Sequence, residues 1–234
     1  MPSSLSMHLP ARSPVARTHF LASAVQRTMK AAAALAIPAR ALRTATRQST
    51  ALTLVLLAAL AQPAMAAPNV VYSKNGVSFE HPADWKVTDD AVEPGANGMR
   101  SIDLEGPDES VVTFMFSPFL AGQNIEKFAA TAAKNRADSS KGSAGATPAE
   151  QVRFGPVTSA PITRQVAGKE NTGVSQRFVV TLQGQNLPHE ARFFAANLGE
   201  SSAVIMTQVA VEYAQRTEPG FVMALDTLRY RAKR

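Results

Sequence analysis

The stretch Gly76-Val77-Ser78-Phe79-Glu80-His81-Pro82-Ala83-Asp84-Trp85 decides the reading of this chain. Asn75-Gly76 is a strong hairpin signal, because both residues tolerate positive φ. It predicts strands over Val70–Lys74 and Gly76–His81. Val77, Phe79 and His81 alternate with Ser78 and Glu80, which sends Phe79 into a core. Pro82-Ala83-Asp84 stops the pairing. Trp85-Lys86-Val87 resumes extended structure, with Trp85 capping one end of a sheet, and the residues from Asp89 to Gly98 read as a loop.

Working outward, Met99–Leu104 and Ser110–Phe116 are strands. The second is apolar on both faces, as a central strand covered from two sides should be. Asn124 is placed to cap a helix whose apolar stripe is Ile125, Phe128, Ala129, Ala132 and Ala133. The Ser, Gly, Ala and Pro-rich run from Ser139 to Ala149 is loop chemistry, too short to separate two domains. Four strand-like runs follow, Pro156–Val166, Gly173–Leu182, Leu187–Asn197 and Ser202–Val211. Pro219 then opens a closing helix with the stripe Phe221, Ala224, Leu225 and Leu228; the basic tail from Arg229 to Arg234 suits its C-terminus. The expected fold class is α+β: an α/β/α sandwich on a six- to seven-stranded, mostly antiparallel sheet.

The 234 residues include 24 Lys+Arg and 18 Asp+Glu, a formal charge of +6. Seven of the basic residues and none of the acidic ones fall within residues 1–66. Residues 67–234 therefore carry 17 basic and 18 acidic side chains, which removes a nucleic-acid reading. The uncharged run Ala51–Ala61 follows a basic stretch and precedes small residues, with Ala64 and Ala66 at the −3 and −1 positions. That is a secretory signal peptide cut after Ala66. A membrane span needs about 17–25 apolar residues, and Gln62-Pro63 ends this run too early. The expected division is a cleaved leader over 1–66 and one domain over 67–234, periplasmic or secreted and not an integral membrane protein once processed. The leader is long, so the start is either Met1 or Met29. Its Ser, Thr, Ala and Arg content also fits organelle transit, which keeps the thylakoid lumen as the alternative. The absence of cysteine excludes disulfides, thiolate metal sites and cysteine nucleophiles.

The opening stretch resembles the G-x-x-F-x-x-P-x-x-W start of the Mog1/PsbP-like superfamily, carried here by Gly76, Phe79, Pro82 and Trp85. The later order is similar too: a strand ending Phe116-Ser117-Pro118, a helix from Asn124, three long strands and the helix Pro219–Tyr230. This resemblance, over about residues 70–230, implies a non-catalytic binding or assembly-assisting domain.

Catalytic groups are sparse. Only His81 and His189 remain beyond the leader, and no Gly-x-Ser-x-Gly elbow accompanies them. A two-histidine metal site would need their strands adjacent and a carboxylate such as Glu190 nearby. Asp89-Asp90 and Asp108-Glu109 read as solvated turns, and Lys141–Ala146 lacks the ending of a phosphate loop. No catalytic residue, cofactor or metal ligand is assigned. The expectation is an exported, monomeric, non-enzymatic binding or assembly-accessory protein of the cell envelope, its partner an envelope protein. The alternative is a carrier of a small apolar ligand in a groove between helix and sheet, lined by Phe114, Phe116, Phe119 and Phe128. A metal-dependent enzyme using His81 and His189 ranks last. Trp85, Phe116 and Phe119 are the candidate contacts for a partner or ligand.

Overall fold

Asn75 (φ 47°) and Gly76 (φ 83°) make the two-residue turn that joins β1 (Asn69–Lys74) to β2 (Val77–Pro82). Both central residues have positive φ, as a type I′ hairpin turn requires. The structure is a computed structural model and describes residues 68–92, 98–139, 152–182 and 184–231. The leader with Ala64 and Ala66, the run 140–149 and the end of the basic tail, residues 232–234, lie outside the described residues.

The hairpin does not join the main sheet. It forms a separate three-stranded sheet, β1-β2-β11, with the short strand β11 (Arg229–Tyr230). Pro82 is the cause: Trp85 N–H donates to Pro82 O at 3.0 Å, a tight turn that sends the chain into a second sheet. That sheet has eight antiparallel strands, more than the six or seven expected in all. Its path is β3 (Lys86–Val92), β4 (Arg100–Glu105), β5 (Val111–Phe116), β10 (Ser202–Ala210), β9 (Gln185–Asn197), β8 (Lys169–Leu182) and β6 (Arg153–Phe154). β7 (Thr158–Val166) also pairs with β8. β3 runs through Asp89 and Asp90, where the sequence reads as a loop, because both are paired to β4.

β5 and β10 are buried at every residue, as central strands covered on both faces must be. Their side chains alternate between two cores. Met115, Phe193, Val204 and Met206 pack under helix α1 (Ile125–Ser139) with Phe128, Ala129 and Ala132. Phe114, Phe194 and Ile205 pack on the other face against Phe79 of the small sheet and Phe221, Ala224 and Leu225 of helix α2 (Ala214–Asp226). The architecture is thus an α+β sandwich, with a helix over one face and a helix plus small sheet over the other.

α2 begins at Ala214, five residues before the proline expected to open it. Pro219 sits inside the helix on its exposed side, where the carbonyl that loses its usual donor can turn to water. Arg229 finishes the helix as expected of a C-terminal cation, its Nη1 donating to Asp226 O at 2.8 Å and Leu228 O at 2.7 Å. The chain then continues as a strand, because Arg229 and Tyr230 pair with Ser78 and Val77.

Candidate functional site

Helix α1 starts where the capping residue stops the preceding turn: Lys127 N–H donates to Asn124 Oδ1 at 2.8 Å. Its inner stripe is built mostly of alanine, so its first two turns cannot fill the space beside strand β7. A half-open groove of about 450 Å3 results, lined by Ile125, Ala129 and Ala130 from α1, Ala160 and Pro161 from β7, and Val174 from β8. Gln176 closes its floor. Its Nε2 donates to Ala129 O at 2.9 Å and to Ser159 Oγ at 3.4 Å, tying helix and edge strand together.

Gln176 Oε1 accepts from Arg136 Nη2, and both residues are 1% exposed. The Arg136 guanidinium lies 4.4 Å from the centroid of the Phe178 ring and 5.9 Å from that of Phe193, a favourable placement for a desolvated cation. Burial pushes its pKa down to about 10, so it stays charged at neutral pH. The sequence carries a signal for both residues. Arg136 falls at the next position of the apolar stripe through Ala129 and Ala132, and Gln176 interrupts the inward run Val174, Phe178, Val180.

The other face of β7 is polar. A cleft of about 420 Å3 there is lined by Thr158, Ala160, Ile162, Ser175, Arg177 and Glu190. Glu190 accepts from Ser175 Oγ at 2.9 Å and from Arg192 Nε and Nη2 at 2.9 and 2.6 Å. Burial opposes its charge, but the Ser175 hydrogen bond and the Arg192 cation outweigh that and hold the carboxyl below its ordinary value. Arg192 Nη1 also reaches Glu218 Oε2 on α2 at 2.7 Å, and Arg164 Nη2 pairs with Glu218 Oε1. Arg177 stands at the end of this ladder with a 70% exposed side chain, its Nε 3.6 Å from Glu190 Oε1.

The candidate contacts are not brought together. Trp85 is 3% exposed and meets Phe221 edge-on at 5.3 Å. Phe116 is equally buried beside Phe114 and Tyr230. Phe119 is 57% exposed on the turn Pro118–Leu120. Phe114 and Phe116 belong to the core on the α2 face, and Phe128 to the core under α1. The groove between helix and sheet is therefore lined by alanines, Pro161, Ile125 and Val174 together with the polar Glu126, Ser159 and Thr172, and by none of the phenylalanines expected there.

His81 lies in the small sheet, its Nδ1 2.9 Å from Pro82 O. His189 lies on β9, stacked on Phe178 at 6.0 Å on the α1 face. The main sheet stands between the two imidazoles, so the adjacent strands that a two-histidine site needs are not there. Among the described residues no group of three or more His, Asp and Glu side chains is arranged to hold a metal ion. No helix among them is long and apolar enough to cross a membrane.

Asp90 corrects the solvated-turn reading. It accepts from Arg100 Nε at 2.7 Å and Nη2 at 3.1 Å, from Tyr72 Oη at 2.8 Å, and pairs with Lys74 Nζ at 2.7 Å. Arg100 Nη1 reaches further, to Lys74 O and Asn75 O of the hairpin turn. Asp108 likewise pairs with Arg216. These acids hold elements together; Asp90 is the rivet between the two sheets.

No family model matches the chain, and no curated protein is similar to it. Similar solved structures include the cyanobacterial PsbP protein CyanoP from Synechocystis sp. PCC 6803, at 13% identity, a TM-score of 0.43, and coverage of 75% of this chain and 99% of that one. PA94 from Pseudomonas aeruginosa, a protein of unknown function, aligns at 12% identity and a TM-score of 0.34, over 70% of this chain and 99% of that one. LpqN of Mycobacterium tuberculosis, described as involved in cell envelope biogenesis, aligns at 6% identity and a TM-score of 0.34, over 69% of this chain and 88% of that one. A PsbP protein thus stands among the similar structures.

Proposed function

We propose that this chain is an exported, non-enzymatic binding or assembly-accessory protein of the cell envelope. The observation that carries the reading is a division of labour. The largely buried charged side chains Asp90, Arg100, Glu190 and Arg192 are engaged in bonds that join structural elements, while the groove beside α1 is mainly apolar and its polar lining groups, Glu126, Ser159, Thr172 and Gln176, have no histidine among them. The leader over 1–66 supports export. The open side of the groove favours a protein segment over an enclosed small molecule. The carrier reading keeps one observation in its favour, the groove's volume, which falls within the usual ligand range of roughly 300–1,000 Å3.

The test is purification of the processed protein from its native envelope after mild cross-linking. A defined envelope protein recovered in near-stoichiometric amount, with no turnover of ester, phosphoester, glycoside or peptide probes, is the expected result. Turnover that disappears in His189→Ala or His81→Ala contradicts the reading.

A further inference from the structure

Strand β7 stands between two unlike clefts. Ser159, Ala160 and Pro161 line both of them, and residues 158–161 are exposed. Among the described residues β7 pairs with β8 alone, which leaves its outer edge open. On the α1 side lies the mainly apolar groove, with Glu126 of α1 at its rim. On the other side lies a hydroxyl-lined cleft with Arg177 at its end. Glu190 has both oxygens already engaged by Ser175 and Arg192, so the Arg177 charge is only loosely offset.

We propose that the β7 edge, over Thr158–Ile162, is a docking site for a short extended protein segment in which apolar residues alternate with acidic ones. The inference names the partner chemistry for the binding role proposed above and rests on it. Alternation is what a strand added to this edge would present, because successive side chains point to opposite faces. One set falls into the groove against Ala130 and Pro161. The other falls toward Arg177, which lies on β8 opposite Thr158. Two strand spacings, about 10 Å, separate β8 from an added strand. The small Ala160 side chain leaves that space open, and an arginine and a glutamate together span it. Pro161 has no N–H to offer, so the added ladder is short and the side chains in the two clefts set the specificity.

The test uses the processed protein and two dye-labelled hexapeptides, one alternating valine with glutamate and one alternating valine with lysine, read by fluorescence anisotropy. The glutamate peptide is expected to bind about tenfold more tightly, the scale of one well-placed charge pair. Arg177→Glu should reverse that preference. Ala130→Arg, an exposed substitution that fills the groove, should weaken both peptides, and peptide binding should slow hydrogen exchange at the amides of Thr158, Ser159, Ala160 and Ile162. Both variants are checked for unchanged melting temperature. Equal binding of the two peptides, no binding, or indifference to Arg177→Glu overturns the proposal. So does protection of the same amides by self-association or by anionic phospholipid vesicles. If the peptides fail while an envelope protein still co-purifies, the docking edge is wrong and the binding role stands.

Discussion

Arg100 and Asp90 meet through two parallel hydrogen bonds, Nε to Oδ1 at 2.7 Å and Nη2 to Oδ2 at 3.1 Å. They do so at the point where the hairpin sheet touches the main sheet. Each side chain is about a tenth exposed. The guanidinium also donates to Tyr72 Oη and to two carbonyls of the hairpin turn, so one residue fastens β1 to β4.

Arg100→Ala is therefore expected to destabilise the fold by about 2 kcal/mol, below the cost for a fully dry pair because water still reaches the site. Asp90→Asn should cost a similar amount. Removing both partners should cost less than the two losses added, since the single variants each strand a charge. Urea unfolding of the four proteins measures this. The Arg100 hydrogen bond, against the opposing effect of burial and with help from Lys74 and Tyr72, holds Asp90 far below its ordinary 3.8. Its contribution is thus complete above about pH 4 and drains away only at lower pH.

His189 gives an acid dependence in a different window. Burial lowers its pKa from 6.5 to about 4, so the unfolded chain binds the proton more readily than the folded one. Stability is highest above pH 6.5 and falls as the pH drops toward 4, by up to about 3 kcal/mol at the full shift. His189→Phe should flatten the stability profile between pH 4 and 6.5, as urea midpoints at pH 4.5 and 7 would show.

Gly220 reverses the ordinary ranking of helix formers. Glycine inside a helix is usually about 1 kcal/mol worse than alanine. Here a Cβ at Gly220 would lie 2.3 Å from Trp85 Cζ2 and 2.5 Å from Cε2. Gly220→Ala should lower stability by roughly 1–3 kcal/mol through overpacking, visible as a lower melting temperature. A melting temperature raised by the substitution would mean that the indole does not sit flat against α2.

Much of the layering was legible in the sequence. The Asn75-Gly76 turn, the doubly apolar Val111–Phe116 and the capped stripe from Ile125 each depend on residues close together in the chain, and local chemistry specifies them. What escaped depends on distant partners. Asp89 and Asp90 have the composition of a turn, yet β4 pairs with them and Arg100 neutralises Asp90. The closing helix extends back past Pro219 because tertiary packing of Phe221 and Leu225 outweighs one lost hydrogen bond. β11 is two residues long and exists only because β2 offers an edge. The groove was anticipated by place but not by lining, since sequence cannot tell a phenylalanine packed in the core from one beside an opening.

The most direct measurement of the central claim is the mass of the chain recovered from the envelope compartment of its host. A leader that is removed to release a binding domain outside the cytoplasm predicts a single species beginning at Ala67. A chain that keeps residues 51–61 and partitions with the membrane, or one that stays whole in the cytoplasm, contradicts the account.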